Sequence, residues 1–243
     1  MKKKILIIAN PGESGTENYC EGVLKDVENY KKYFMSPVGG SWYSSEIECL
    51  KTPNKYSVST KLNEMKYLDF SIIIFTGHGY SQNEETFVEL NSEEGMSVTA
   101  FKENGKKRLV IVDCCRKEWF PVSELNEAYF FHREKSFFEL KNTREIYEDY
   151  IRAADVMNIV MYGCDLGETS GDDSKKGGFY SSSLLKICTE FAETNKELKK
   201  YCLTAPLAHE RAKVLVKRLK IDQNPQIEKP RMGKYLPIAV TEF

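Results

Sequence analysis

The tightest constraint on how this chain folds is a set of short apolar runs at residues 5–9, 70–75, 108–113 and 159–162, each stopped abruptly by glycine or a polar residue. They are too short for helices and rich in β-branched residues, so they predict buried strands. Between them the pattern changes to a helical period. Val23, Leu24, Val27, Tyr30 and Phe34 recur at three- and four-residue intervals within 21–34, and Ile146, Tyr150, Ile151 and Ala154 do so within 143–155. Helices are also expected at 57–66, 181–199 and 206–219, and a further strand at 46–50. Residues 86–90 and 96–98 read as a hairpin around a polar turn. Alternation of this kind predicts an α/β fold, with a mostly parallel central sheet sandwiched between helices.

The remaining stretches carry weaker signals. Residues 116–140 read as a long ordered loop, 163–178 as a mobile surface loop and 224–234 as a proline-bearing connector. Residues 235–240 are expected to form an edge strand, because Pro237 would interrupt a central one.

With 243 residues and a hydrophobic fraction of 41%, the chain can bury a substantial core as one domain spanning 1–243. A formal net charge of −1 leaves no basic excess, so no nucleic-acid partner is expected. Seven cysteines, an odd number without a C-x-x-C pair, argue against a disulfide framework and a zinc ribbon, and predict a reducing, cytoplasmic setting. The run at 5–9 is shorter than the ~7–15 residues of a signal-peptide core. No segment approaches the ~20 apolar residues of a membrane span, and no membrane partner is expected. The loop Pro-Gly-Glu-Ser-Gly-Thr after residue 10 lacks the Gly-Lys-Ser/Thr ending of a phosphate loop and reads as a plain connection.

Chemistry is concentrated at two strand ends. The strand at 70–75 runs into Thr76, Gly77, His78 and Gly79, and the strand at 108–113 runs into Asp113, Cys114, Cys115 and Arg116. Parallel neighbours would set an imidazole and a thiol on one rim of the sheet, where open α/β folds bind ligands. A histidine within reach of a cysteine can take its proton at neutral pH and release the nucleophilic thiolate. The same residues also suit inert roles, as a strand-end hydrogen-bonder and a packed thiol. His132, in an aromatic loop, and His209, on a helix, have no cysteine spacing that suggests zinc.

Thr-Gly-His-Gly after one apolar strand and Asp-Cys-Cys-Arg after the next resemble the histidine and cysteine motifs of the caspase superfamily, more specifically metacaspases and bacterial caspase-like peptidases. The resemblance extends over most of the chain. Gly22 to Val27 is similar to the metacaspase Gly-Cys-x-x-Asp helix start, and Tyr162 to Asp172 to its Ser-Gly-Cys-x-x-x-x-Thr-Ser segment. Gln223-Asn-Pro-Gln with Leu236-Pro-Ile is similar to its C-terminal portion.

The resemblance implies a caspase-like fold and a cysteine endopeptidase in which His78 activates Cys115 and the backbone N–H groups of Gly79 and Cys115 hold the oxyanion. It further implies cleavage after Arg or Lys, with Asp26, Asp113 and Thr76 lining the pocket. Asp26 reads equally well as an ordinary exposed helical acid. Regulated proteolysis is implied, in bacterial cell suicide or defence, with a protein or peptide substrate, an unidentified regulatory partner protein and no cofactor. Lys175 and Lys176 would suit self-cleavage.

Some family features are missing. Val23 replaces the helix-start cysteine, Arg116-Lys117 replaces His-Ser-Gly, and Phe120, Pro121 and Val122 occupy the region of the calcium-binding acid. No metal site is therefore expected. Glu84, Glu85, Glu93 and Glu94 suit either a cation or a charged hairpin facing water. A second reading is a catalytically silent scaffold that binds a peptide or partner protein.

Overall fold

The computed structural model describes residues 1–103, 105–117, 140–198, 201–219 and 221–241. In chain order its elements are β1 (Lys3–Asn10), α1 (Gly22–Met35), β2 (Ile47–Lys51), α2 (Lys55–Glu64), β3 (Phe70–Gly77), β4 (Gly79–Gln82), β5 (Glu85–Glu89), β6 (Gly95–Ser97), α3 (Thr99–Lys102) and β7 (Lys107–Asp113). They continue with α4 (Leu140–Ala153), β8 (Met157–Tyr162), β9 (Asp172–Asp173), β10 (Gly177–Gly178), α5 (Phe179–Thr194), β11 (Cys202–Thr204), α6 (Ala205–Arg218), β12 (Gln226–Glu228) and β13 (Pro237–Val240).

The central sheet has the order β12-β8-β7-β3-β1-β2. Every neighbouring pair from β8 to β2 is parallel, and β12 alone runs antiparallel. The expected α/β architecture is present. The apolar runs form its centre because both faces of the sheet are covered, which removes any need for polar alternation.

Side-chain alternation divides the core in two. Ile5, Ile7, Ile72, Ile74, Leu109 and Ile111 face α1, α4, α5 and α6, where Val27, Tyr30, Phe34, Tyr147 and Leu184 meet them. Leu6, Ile8, Ile73, Phe75, Val110 and Val112 face the other way, onto Val58 and Leu62 of α2, Phe101 of α3 and Val88 and Met96 of the hairpin region. Cys114 continues the second series and is buried in it. Asp113, one residue earlier, continues the first. The alternation therefore aims the carboxylate toward α1 and α5 while the adjacent thiol packs inside.

Several expectations change. The hairpin gains a third strand, β4, directly after His78. The connector contains β12, the antiparallel edge of the main sheet. Residues 237–240 are not an edge of that sheet. They pair with β11 in a separate antiparallel ladder and are fully buried, and Pro237 is accommodated as the strand's first residue. Helix α5 ends at Thr194, five residues early, where the amide side chain of Asn195 bonds the carbonyl of Phe191 at 2.8 Å. Most of the long loop expected at 116–140, including His132, lies outside the described residues. Among the described residues no helix is long and apolar enough to cross a membrane.

Candidate active site

Strands β3 and β7 are adjacent, with Thr76 opposite Asp113 in the register. Both run out at the same rim, so His78 and Cys115 leave the sheet side by side in sequence order. The His78 backbone is held by β5, where Glu89 N–H donates to its carbonyl at 3.0 Å. Its ring is held from the opposite side, with Nε2 2.6 Å from the Asn18 carbonyl oxygen and 3.8 Å from Cys20 Sγ. A carbonyl only accepts, so Nε2 carries the proton and Nδ1 keeps the lone pair that a base needs.

Cys115 is half-buried. Its sulfur accepts a hydrogen bond from Ser170 N–H at 3.4 Å and lies 3.6 Å from the Ser170 carbonyl. Burial pushes its thiol up, and the Ser170 N–H opposes that by favouring the thiolate. Among the described residues the Cys115 N–H has no internal acceptor. Gly79, the other expected oxyanion donor, starts β4 and pairs with Val88. Among the described residues, His78 and Cys115 are not hydrogen-bonded to each other.

Below this rim three carboxylates converge. Asp26 is only 1% exposed, which rules out the exposed helical acid. It accepts from Thr76 Oγ1 at 2.6 Å and from Gly178 N–H at 3.0 and 3.1 Å to its two oxygens. Asp113, 5% exposed, accepts from the Ser181 N–H and hydroxyl at 2.9 and 2.7 Å and from the Ser170 hydroxyl.

Gly178 is wedged between the two acids. A Cβ there would stand 2.3 Å from Asp113 Oδ2 and 3.2 Å from Asp26 Oδ2, so only glycine fits. The third carboxylate, Asp172, pairs with Gly178 across the β9–β10 ladder and is half-buried. Its Oδ2 accepts from Gly22 N–H, at the start of α1, at 2.9 Å.

Among the described residues none of the three acids forms a salt bridge. Burial raises the pKa of each. The negative charge of Asp113 adds to the rise at Asp26 and Asp172, while donors from Thr76 and Gly178 partly offset it at Asp26. These are acids held near one another without a cation, a state that an incoming positive charge would relieve.

The expected pocket residues Asp26, Thr76 and Asp113 therefore come together next to Cys115. Sequence reasoning missed Asp172, Ser170, Asn18 and Gln223 as parts of the site. Only the Thr-Ser of one motif and the Gln-Asn-Pro-Gln of another pointed toward two of them. The segment 163–178 is also not a loose surface loop. Gln223 Nε2 bonds Gly163 O at 2.8 Å and Ser170 Oγ at 3.0 Å, its Oε1 accepts from Gly171 N–H at 3.2 Å, and the β9–β10 ladder closes the far end. Alternating glycines and acids have no hydrophobic period, which hid this pocket wall.

His209 is fully buried, with Tyr180 Oη 2.7 Å from its Nδ1, and is part of the core. Among the described residues no group of three or more His, Cys, Asp or Glu side chains is arranged to hold a metal ion. Glu85 is bonded to Ser97, and Glu94 accepts from Lys55 N–H at 2.9 Å, so both serve the hairpin and its neighbours.

A sequence model of the caspase domain, Peptidase_C14, matches residues 2–237. No curated protein matches the chain.

Proposed function

The chain belongs to the caspase-domain family of cysteine peptidases, and from that premise we propose that it is an endopeptidase that cuts after Arg or Lys using His78 and Cys115. Nδ1 of His78 takes the Cys115 proton, the thiolate attacks the peptide carbonyl, and the imidazolium returns the proton to the leaving amine. Water then hydrolyses the acyl-enzyme. The N–H groups of Cys115 and Gly79 are the proposed oxyanion donors.

The observation that carries this reading is the pairing of chemistry and charge at one rim. A histidine with its Nε2–H already committed to Asn18 stands beside a thiol bonded by Ser170, above three acids that bond no cation among the described residues. Asp26 and Asp113 have every oxygen engaged internally, whereas Asp172 keeps Oδ1 unengaged among the described residues and is half-buried. In the proposed division of labour, Asp172 meets the substrate cation through Oδ1, Asp113 backs it with the lone pair that Oδ1 keeps beyond its Ser170 bond, Thr76 holds Asp26 in place, and Asp26 deepens the negative field. Arg, with its planar fork, suits such a pocket better than Lys.

Fluorogenic peptides differing only in the residue before the reporter test this, with cleavage expected after Arg and Lys and lost in Cys115→Ala. Equal activity in Cys115→Ala and wild type would sink the nucleophile assignment. The lack of a direct His78–Cys115 hydrogen bond favours one other reading, a peptide-binding scaffold that does not cut. Free catalytic dyads often tighten only with substrate. Tight peptide binding unchanged by Cys115→Ala, with no hydrolysis under any condition, would select the scaffold instead.

We also propose a role in regulated proteolysis. Lys175 and Lys176 lie in the turn between β9 and β10, where self-cleavage by a basic-specific enzyme would show in the mass of the purified protein.

A further inference from the structure

Asn10 ends β1 and is 3% exposed, and its side chain bonds two segments far apart in the sequence. Its Oδ1 accepts from Gly12 N–H at 3.2 Å, and its Nδ2 donates to the Glu89 carbonyl at 2.9 Å. Each segment holds one part of His78. Glu89 N–H fixes the His78 backbone at 3.0 Å. Gly12 lies against the ring, and its left-handed φ of 83° turns the loop back toward Asn18. A Cβ at Gly12 would stand 2.9 Å from both His78 Nε2 and the Asn18 carbonyl oxygen, so the loop, the ring and its acceptor are in direct contact. The loop closes below through Cys20 N–H to the Pro11 carbonyl at 2.8 Å.

We propose that Asn10 is a positioning residue for His78, its planar amide setting the distance between the loop that fixes the ring and the strand that fixes the backbone. It touches no substrate. Its effect passes through the Asn18 carbonyl, which keeps the proton on Nε2 and leaves Nδ1 as the base. Only an amide serves both sides at this length. A carboxylate keeps the acceptor for Gly12 but has no donor for Glu89, and an aliphatic side chain of similar shape loses both. The catalytic part of this inference rests on the proposed role of His78 as general base.

The test compares wild type, Asn10→Leu, Asn10→Asp and His78→Ala with an Arg-reporter peptide over a pH series. A parallel measurement follows the ring 15N shifts of His78 in a Cys115→Ala background. Asn10→Leu is expected to lower kcat by about 10- to 100-fold with KM within about twofold, the range that a small misplacement of a catalytic group produces. Its ring should show a mixture of tautomers where the Asn10-containing protein shows Nε2–H alone. Asn10→Asp keeps the shape and the Gly12 bond, so it is the variant that remains informative if Asn10→Leu does not fold. It should lose less activity and shift the acid limb of kcat/KM to higher pH, because a nearby negative charge favours the imidazolium. Unchanged kcat in both variants, a loss confined to KM, or an unaltered tautomer would overturn the proposal. If wild type itself shows no hydrolysis dependent on His78, the functional reading fails, and the ring shifts alone decide whether Asn10 positions the histidine.

Discussion

The two ends of the same strands bury charge in opposite ways. At the N-terminal end, Arg108 on β7 is fully buried and bonds Ser71 Oγ at 2.9 Å and the carbonyls of Phe101, Glu103 and Met65 at 3.0, 2.6 and 3.4 Å. Lys3 on β1 lies 3.4 Å from Glu148 and 4.1 Å from the centre of the Trp42 ring. Burial lowers the pKa of both, to about 10 for Arg108 and about 8 for Lys3. At the C-terminal end the charges are negative and crowded: burial raises the pKa of Asp26, Asp113 and Asp172, and the charge of Asp113 adds to the rise at Asp26 and Asp172. At the first rim the two buried cations are surrounded by acceptors, aromatic rings or an acid. The second has one half-exposed carboxylate and two buried ones, with no cation bonded to them among the described residues. A closed electrostatic account at one end means architecture, and an open one at the other means a site.

At the N-terminal end the largest expected loss is one of stability. Arg108→Leu removes the donor to four acceptors and is expected to cost about 3 kcal/mol or more, read as a lower denaturant midpoint. On the proposed function, the protein that remains folded should still cleave after Arg. At the open end the expectation reverses. Asp113→Ala should lower kcat/KM for an Arg peptide by roughly 100-fold, the size of a lost charge-assisted hydrogen bond, with a smaller effect on a neutral peptide. Full retention of Arg cleavage, with no new preference, would remove Asp113 from the pocket.

Asp172→Asn should cost about tenfold on the Arg peptide, since the pocket keeps two acids. A loss equal for Arg and Gln peptides would show that Asp172 shapes the loop and not the charge. The smallest effect concerns pH. Because Asp26 titrates well above the ordinary carboxylate value of about 3.9, the folded state holds its proton longer than the unfolded chain does. Stability from this group is therefore greatest below that value and is lost as pH rises through the raised folded pKa. Thermal melts between pH 4 and 7 should fall more steeply for wild type than for Asp26→Asn, and parallel curves would contradict the assignment.

What was readable in advance follows from how locally each feature is encoded. The apolar runs specified the parallel sheet because burial on both faces leaves a continuous signal. The strand period also turns Asp113 and Cys114 opposite ways, as their separate packing shows. The residue pattern alone left the fate of Asp26 open, and only the resemblance set it in the pocket. One helical acid looks like another until tertiary packing brings Thr76 and Gly178 to it. Asp172 and Gln223 were hidden for the same reason, since their partners lie about 50 or more positions away and no local period marks them. Strand β12 was missed because three residues beside a proline carry too little pattern to separate an edge strand from a connector.

A thiol peptidase site selective for a positive side chain, as proposed for the open rim, is tested by the rate at which wild type and Cys115→Ala cleave a peptide series with Arg, Lys, Gln, Leu or Asp before the scissile bond. Cleavage after Arg and Lys by wild type, none after Asp, and none by Cys115→Ala is the predicted result. Undiminished cleavage by Cys115→Ala, or a preference for Asp, would contradict it.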